Sequence, residues 1–291
     1  MIKMAKGSNF SKWWRAARPQ TLAASLSPVI LGTAIAFRDG QAKWGAAILC
    51  LFVALFAQIA SNFANDYFDG KNGIDKPDRF GPKRAVASGE IAPESMLRAS
   101  IISISASCLC GLALLFYAPW EIIIIGFFIV LCVFGYSAGP YPLSQHALGD
   151  AAVILFYGIV PVCFTYFVQA GDFTIPCFIY SIAIGLLSDN ILIVNNYRDI
   201  DDDREVGKTT TVTLFGRKAC RIWYLTNILL AATAPLILKF TWFRLADMAV
   251  FALLGVTIWI ELFKKDGSEL NVTLAHTSIM VLIYAILCSF I

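Results

Sequence analysis

Residues 44–75 read WGAAILCLFVALFAQIASNFANDYFDGKNGID, and the fold turns on how that stretch changes along its length. From Trp44 to Asn65 it carries no charge. That is long enough for an α-helix to cross a bilayer, which takes about 20 apolar residues. Polar side chains then enter at Gln58, Asn62, Asn65, Asp66 and Asp69, at helical offsets of three and four that hold them along one stripe. The polarity starts before the apolar run has ended. Polar and ionisable groups at such a depth are costly and face a cavity or the interior of a helix bundle.

The rest of the chain is written in the same way. Of its 291 residues 58% are hydrophobic and 15% charged, with a mean hydropathy of +0.70. A soluble domain carries about 25% charged residues, so this is an integral membrane protein, with one polytopic domain over 1–291. Long uncharged windows predict nine transmembrane helices near 20–37, 44–66, 98–118, 121–140, 148–169, 174–197, 220–239, 245–263 and 271–290. A barrel would need roughly 10-residue alternating segments instead.

With the N-terminus cytoplasmic, 19 of the 23 Lys and Arg residues fall in cytoplasmic segments and 4 on the other side, as the positive-inside rule requires. The basic N-terminus superficially resembles a signal peptide, but the many spans that follow make it the first of a series. Trp13 and Trp14, between Lys12 and Arg15, read as an interfacial anchor on the cytoplasmic face. A net charge of +3 and the lack of a basic run interleaved with aromatics give nucleic acid nothing to bind. Eight cysteines without a CxxC, and two distant histidines, leave no zinc or disulfide framework.

Charge is bunched. Residues 66–98 and 198–221 hold 23 of the 43 charged side chains, and both segments follow even-numbered spans. The second is entered through SDNILIVNNYRDIDDDREVGK (188–208), where Asn195, Asp199 and Asp203 lie one helical turn apart with Arg198 beside them. N-x-x-x-D occurs in both segments, as Asn65/Asp69 and Asn195/Asp199. Two carboxylates one turn apart repel by about 3 kcal/mol at an effective dielectric of 20. Hard divalent cations relieve that repulsion, and Mg²⁺ held by one or two carboxylates takes its other ligands from water and phosphate. Lys71, Lys76, Arg79, Lys83, Arg84, Arg198, Arg204 and Lys208 stand near the same acids. Acids and bases at one mouth suit a metal-bridged diphosphate. Asp201, Asp202, Glu205, Glu90 and Glu94 read as solvated loop charges. Asp189, about ten residues inside span six, either joins the site or is a structural group bonded to a neighbour.

These segments resemble the UbiA superfamily of intramembrane aromatic prenyltransferases. Within it, ARPQTLAASLSPVILGTAIA (17–36), NDYFDGKNGID (65–75), RFGPKRAVASGEI (79–91), GYSAGPYPL (135–143) and NNYRDIDDDREVGKTTTVTLFG (195–216) are similar to the 1,4-dihydroxy-2-naphthoate prenyltransferases of menaquinone biosynthesis. The resemblance implies an all-α membrane fold, with nine helices around a central cavity that opens to the bilayer under two charged cytoplasmic loops. It also implies Mg²⁺ as cofactor, a polyprenyl diphosphate and dihydroxynaphthoate as substrates, and a setting in the cytoplasmic (inner) membrane.

Carried onto this chain, the resemblance assigns Asp66, Asp69, Asp75, Asp199 and Asp203 to the metals. Asp75 substitutes for an acid that the general motif would place at Gly73. Asn62, Asn65, Asn195, Arg84, Arg198 and Lys208 are assigned to substrate, with Arg79 and Lys83 as lesser candidates. Tyr136 faces the reacting carbons, where its ring would steady an allylic cation, or else it is an interfacial tyrosine. Arg18 approaches the acceptor's carboxylate or anchors span one. Prenylation of another acceptor such as 4-hydroxybenzoate uses the same chemistry. A cation-coupled transporter is the competing class.

Overall fold

The computed structural model describes residues 9–75 and 80–290. A short amphipathic helix α1 (Asn9–Ala16) meets α2 (Pro19–Arg38) at Arg18, whose φ of 53° makes a sharp elbow. Then follow α3 (Trp44–Lys71), α4 (Pro93–Ala113) and α5 (Ile122–Gly135). Next, α6 (Gly149–Ile154) runs through a π-helical turn into α7 (Val160–Ala170). The chain closes with α8 (Ile175–Arg198), α9 (Ile200–Glu205), α10 (Thr211–Leu238), α11 (Trp242–Lys264) and α12 (Leu270–Ser289). Among the described residues there is no strand beyond one isolated bridge, His146 to Thr209.

Eight of these segments are long and apolar enough to span a membrane, α6 and α7 counting as one. The protein is a multi-pass membrane protein. The expected nine is therefore reached only with α5, whose 14 residues extend about 21 Å, short of the roughly 30 Å hydrocarbon core. The span expected over 220–239 starts earlier, at Thr211, because a Thr210/Thr213 capping box begins the helix and Gly216 (φ 76°) kinks it. The cysteines are all free.

The helices close into a ring in which α2 packs on α3, α7 and α12, α3 on α4 and α5, and α8 on α7, α10 and α12. Close approach depends on missing side chains. A Cβ on Gly158 would lie 2.5 Å from the Cα of Gly185 and the carbonyl oxygen of Ser181. Here α8 presses against the π turn with backbone against backbone, the small-residue contact that packs helices in lipid.

One end of the ring collects the charged connections. Asn271 at the head of α12 donates to the carbonyl of Phe80 at 3.0 Å. The 143–147 connection pairs with Thr209 through backbone bonds of 2.9 and 3.1 Å. Elbow and loop are stapled by Glu90, which takes both Arg15 and Lys83. The two tryptophans part company: Trp13 packs edge-on against Phe63 at 5.6 Å, while Trp14 and Phe10 stack on each other and stay exposed.

Two consequences can be measured. Gly158→Val should lower stability in detergent by about 1–3 kcal/mol through overpacking, whereas Gly111→Ala, with nothing near its added carbon, should not; thermal melts of the two variants decide. The hydrogen bond from Lys83, with Arg15 beside it, holds the Glu90 carboxyl below its ordinary pKa. A depressed carboxylate contributes stability above its unfolded pKa and loses it as pH falls through the folded value. With the intrinsic pH dependence of amide exchange divided out, protection over α1 should therefore fall on acidification, and Glu90→Gln should flatten that dependence.

Candidate active site

The helical stripe on α3 delivers its side chains to a cavity of about 270 Å³ at the charged end of the ring. Asp69, Asp75, Asp199, Asp202 and Asp203 line it, and so do Arg18, Arg84 and Lys208. Below them the walls become apolar, with Val29, Val53, Ile129, Val133, Phe156 and Phe164. Five carboxylates against three bases leave the mouth net negative, so a diphosphate needs cations to enter. The volume lies just under the roughly 300–1,000 Å³ of a drug-sized pocket. It can take a headgroup and a ring but not a long tail.

The two acidic segments arrive from opposite sides. Asp69 ends the α3 stripe; its Oδ2 accepts from Asn65 Nδ2 at 2.6 Å, and its buried Oδ1 has no hydrogen-bond partner. Asn65 is itself a hub, donating to Ser137 Oγ at 3.0 Å and accepting from Arg18 Nη2 at 2.6 Å. Asp75 pairs with Arg84 at 3.2 Å and Asp203 with Lys208 at 3.2 Å. Across the cavity Asp199 caps α8 and Asp203 follows one turn on in α9, its backbone N–H donating to the Asp199 carbonyl at 2.8 Å. Among the described residues no three acidic, histidine or cysteine side chains lie close enough to cage a metal ion alone. A hard cation here would complete its shell with water and phosphate oxygen, as Mg²⁺ does readily. The orphaned Asp69 Oδ1 fits such a ligand.

Two of the sequence-based candidates are engaged by other parts of the protein. Asp66 does not face the cavity: its carboxylate oxygens accept the backbone N–H groups of Ala85 (3.0 Å) and Val86 (3.1 Å). A residue next to Asn65 lies about 100° further round the helix, and there it pins the loop. Arg198 is also occupied. Its Nε and Nη2 each donate to Asp199 at 2.7 Å, Nη2 also to Asn195 at 2.8 Å, and Nη1 to Asn271 at 2.8 Å. It is buried beside Asp199, outside the lining of this cavity, and its fork orients that carboxylate.

Asn62 and Asn195 touch the cavity but are also committed to structure. Asn62 donates to Ala17's carbonyl at 2.8 Å, and Asn195 accepts from Arg198. Lys83 is engaged by Glu90 away from the cavity, and Arg79 and Lys76 lie outside the described residues. Tyr136, at the end of α5, lines the cavity, with its hydroxyl 3.4 Å from where a Gly149 Cβ would sit. Asp189 stands outside the lining and accepts from Asn227 Nδ2 at 3.2 Å, which favours the structural alternative.

Three contributors escaped the sequence reading. Asp202, taken for a solvated charge, lines the cavity; Asn271 fixes Arg198; and Tyr157 reaches Gln58 across the bundle. The acidic run 201–203 hid the first, and no local pattern marks the other two.

The chain is similar to known proteins in sequence and in fold. The profile described as the UbiA prenyltransferase family matches residues 25–282. A 1,4-dihydroxy-2-naphthoate octaprenyltransferase of Mycobacterium tuberculosis (strain ATCC 25618 / H37Rv) is 33% identical over 96% of this chain and 96% of its own. The enzyme of the same name from Escherichia coli (strain K12) is 36% identical over 75% of this chain and 72% of its own. In fold, the structure of a UbiA homolog from Archaeoglobus fulgidus bound to GPP and Mg²⁺ superposes with a TM-score of 0.66 at 18% identity, covering 96% of this chain and 100% of that one. A shared profile over most of the length, relatives above 30% identity and one common helical ring lead to a single conclusion: the chain belongs to the UbiA prenyltransferase family.

Proposed function

We propose that the protein transfers a polyprenyl group from polyprenyl diphosphate to 1,4-dihydroxy-2-naphthoate, releasing pyrophosphate and CO₂ and forming a demethylmenaquinol. The observation that carries this reading is the pairing of an acidic, base-studded mouth with an apolar cavity beneath it. A diphosphate ester with a hydrocarbon tail has the same two halves. Relatives named for that reaction support the choice of acceptor.

Asp69, Asp75, Asp199 and Asp203 would hold Mg²⁺, which when bound neutralises the diphosphate and makes it a better leaving group. Arg84 and Lys208 complement it, Arg84 by its fork of donors and Lys208 as a point charge. Preorganised charge of this kind usually contributes more than any other effect to such catalysis. As the C–O bond of the allylic diphosphate breaks, positive charge develops on the prenyl carbon, and the Tyr136 ring, which lines the cavity, would attract it through its π face. Carbon 2 of the naphthoate, made electron-rich by its hydroxyls, forms the new C–C bond. Its carboxylate then leaves as CO₂, returning the electron pair to the ring.

Arg18 would meet that carboxylate, a role supported by its place in the cavity lining beside Asn65. The tail runs beyond the cavity into lipid, and the short α5 supports an exit on its side. The concentration of Lys and Arg in the segments at this end supports a cytoplasmic face, with the N-terminus on the same side of the inner membrane. Among the described residues no acid lines the apolar part of that cavity, Asp150 and Asp189 being buried outside its lining, which argues against a transporter.

Purified protein given Mg²⁺, a polyprenyl diphosphate and either dihydroxynaphthoate or 4-hydroxybenzoate should yield only the decarboxylated prenyl-naphthoquinol, detected by mass spectrometry as such or as the quinone that air oxidation makes from it. Chelation, Asp69→Asn and Asp199→Asn should each abolish it while the protein stays folded; product from hydroxybenzoate alone would move the assignment to another acceptor. Arg198→Lys replaces a bidentate fork by a point charge on Asp199. Hydrogen bonds to charged groups are worth about 1.5–3 kcal/mol, so kcat/KM should fall roughly 10- to 100-fold.

A further inference from the structure

Beneath the charged mouth the cavity has a second polar patch that the diphosphate chemistry does not use. Gln58, two turns deeper than Asn65 on the α3 stripe, meets Ser25 of α2 and Tyr157 of the π turn, and all three line the cavity. Its Oε1 accepts from Ser25 Oγ at 2.7 Å and from Tyr157 Oη at 2.5 Å. Its Nε2 donates to Asn62 Oδ1 at 3.2 Å and to Thr21 Oγ1 at 3.3 Å.

The direction of every proton in this network is set by two backbone carbonyls. The carbonyl of Ala17 can only accept, so the Asn62 group 2.8 Å away is the NH₂ and the Asn62 oxygen faces Gln58. The Gln58 group facing that oxygen must then be its own NH₂. Thr21 spends its hydroxyl proton on the Arg18 carbonyl at 2.9 Å and so receives a proton from Gln58. With both Nε2 protons accounted for, Gln58 turns its oxygen toward Ser25 and Tyr157, and each of those hydroxyls has its single proton committed to it. What Ser25 and Tyr157 can still offer the cavity is lone pairs.

A patch of acceptors with no remaining donor selects its ligand. A carboxylate or a diphosphate, each acceptor-only, is refused there, whereas a hydroxyl can donate to it. We infer that Ser25 and Tyr157, polarised by Gln58, form the subsite that receives a phenolic hydroxyl of the aromatic acceptor. The acceptor is thereby oriented with its hydroxyl inward and its carboxylate outward toward Arg18. Donating that proton shifts electron density into the ring and favours attack by carbon on the prenyl cation. Walls of Ala54, Ala57, Phe156 and Val160 leave the flanking surface apolar, as a fused ring requires. The inference rests on the proposed function, in which the second substrate is a hydroxyarene.

The test compares dihydroxynaphthoate with each of its monomethyl ethers, measuring KM for acceptor and for polyprenyl diphosphate separately. In the wild type, the ether that blocks the donated hydroxyl should raise the acceptor KM roughly tenfold or more, the worth of a buried polar group left unpaired. This comparison needs no variant to fold. Tyr157→Phe with Ser25→Ala should bring diol and ether together while leaving the diphosphate KM within about twofold. Gln58→Leu, which frees the Tyr157 proton to donate, should also shrink the penalty on the ether.

A wild-type diol-to-ether ratio near one, or variants that keep the wild-type ratio and shift the diphosphate KM instead, would overturn the subsite. If the wild type prenylates a different phenol and not the naphthoate, the naphthoate assignment falls, and the ratio for that phenol and its methyl ether judges the subsite. An enzyme that accepts no hydroxyarene overturns both.

Discussion

Electrostatic imbalance at the edge of a nonpolar space is the constraint on which the rest of the structure depends. Five carboxylates and three bases share the mouth of a cavity whose deeper walls are hydrocarbon. Water cannot be counted on to screen them there, and like charges at such distances cost several kcal/mol together. Four of the carboxylates are therefore held by a named partner: Asn65 on Asp69, Arg84 on Asp75, the Arg198 fork on Asp199, Lys208 on Asp203. The surplus negative charge makes the site a receptor for cations and, through them, for phosphate. Amide and guanidinium partners also fix where each oxygen points, so the geometry exists before any ligand arrives.

Much of that order is transmitted through one small elbow. Arg18 adopts a left-handed backbone conformation between α1 and α2, a strained state for a residue with a side chain. In that conformation its guanidinium reaches Asn65, while the carbonyls of Ala17 and Arg18 receive Asn62 and Thr21. The elbow that follows α1 thus carries contacts that reach into the cavity. It orients one acidic motif from the side, and by terminating the Gln58 network it sets which way the protons point at the floor of the cavity. The elbow and the cavity floor are joined by the side-chain amides of Asn62 and Gln58.

The two halves of the mouth are closed in the same spirit. Asn271 at the head of α12 holds both Arg198 and the Phe80 carbonyl, and Thr209 is paired with the connection after α5. Segments distant in sequence share one cap because each ends a helix at the same end of the ring. Backbone groups leaving a helix need partners, and here they find them in one another. The closeness of α8 to the π turn, through Gly158 and Gly185, brings Asn195 and Asp199 to a common rim with Tyr136.

The sequence by itself was enough for what depends on local composition and period. Apolar length fixes a helix in lipid because every backbone group must bond within its own segment; charge bias orders the loops; and three- and four-residue spacing puts Asn65 and Asp69, or Asp199 and Asp203, on one face. For the same reason the family was legible from five short motifs. Tertiary structure decided which of two neighbouring acids faces the cavity: the loop amides of Ala85 and Val86 take Asp66, while Asp69 keeps Asn65 of its own helix and lines the cavity. It also decided that Arg198 serves Asp199, that Asp202 reaches the cavity and that Tyr157 meets Gln58. Those outcomes depend on contacts between residues far apart in the chain, and no spacing rule along one helix records what stands on the next.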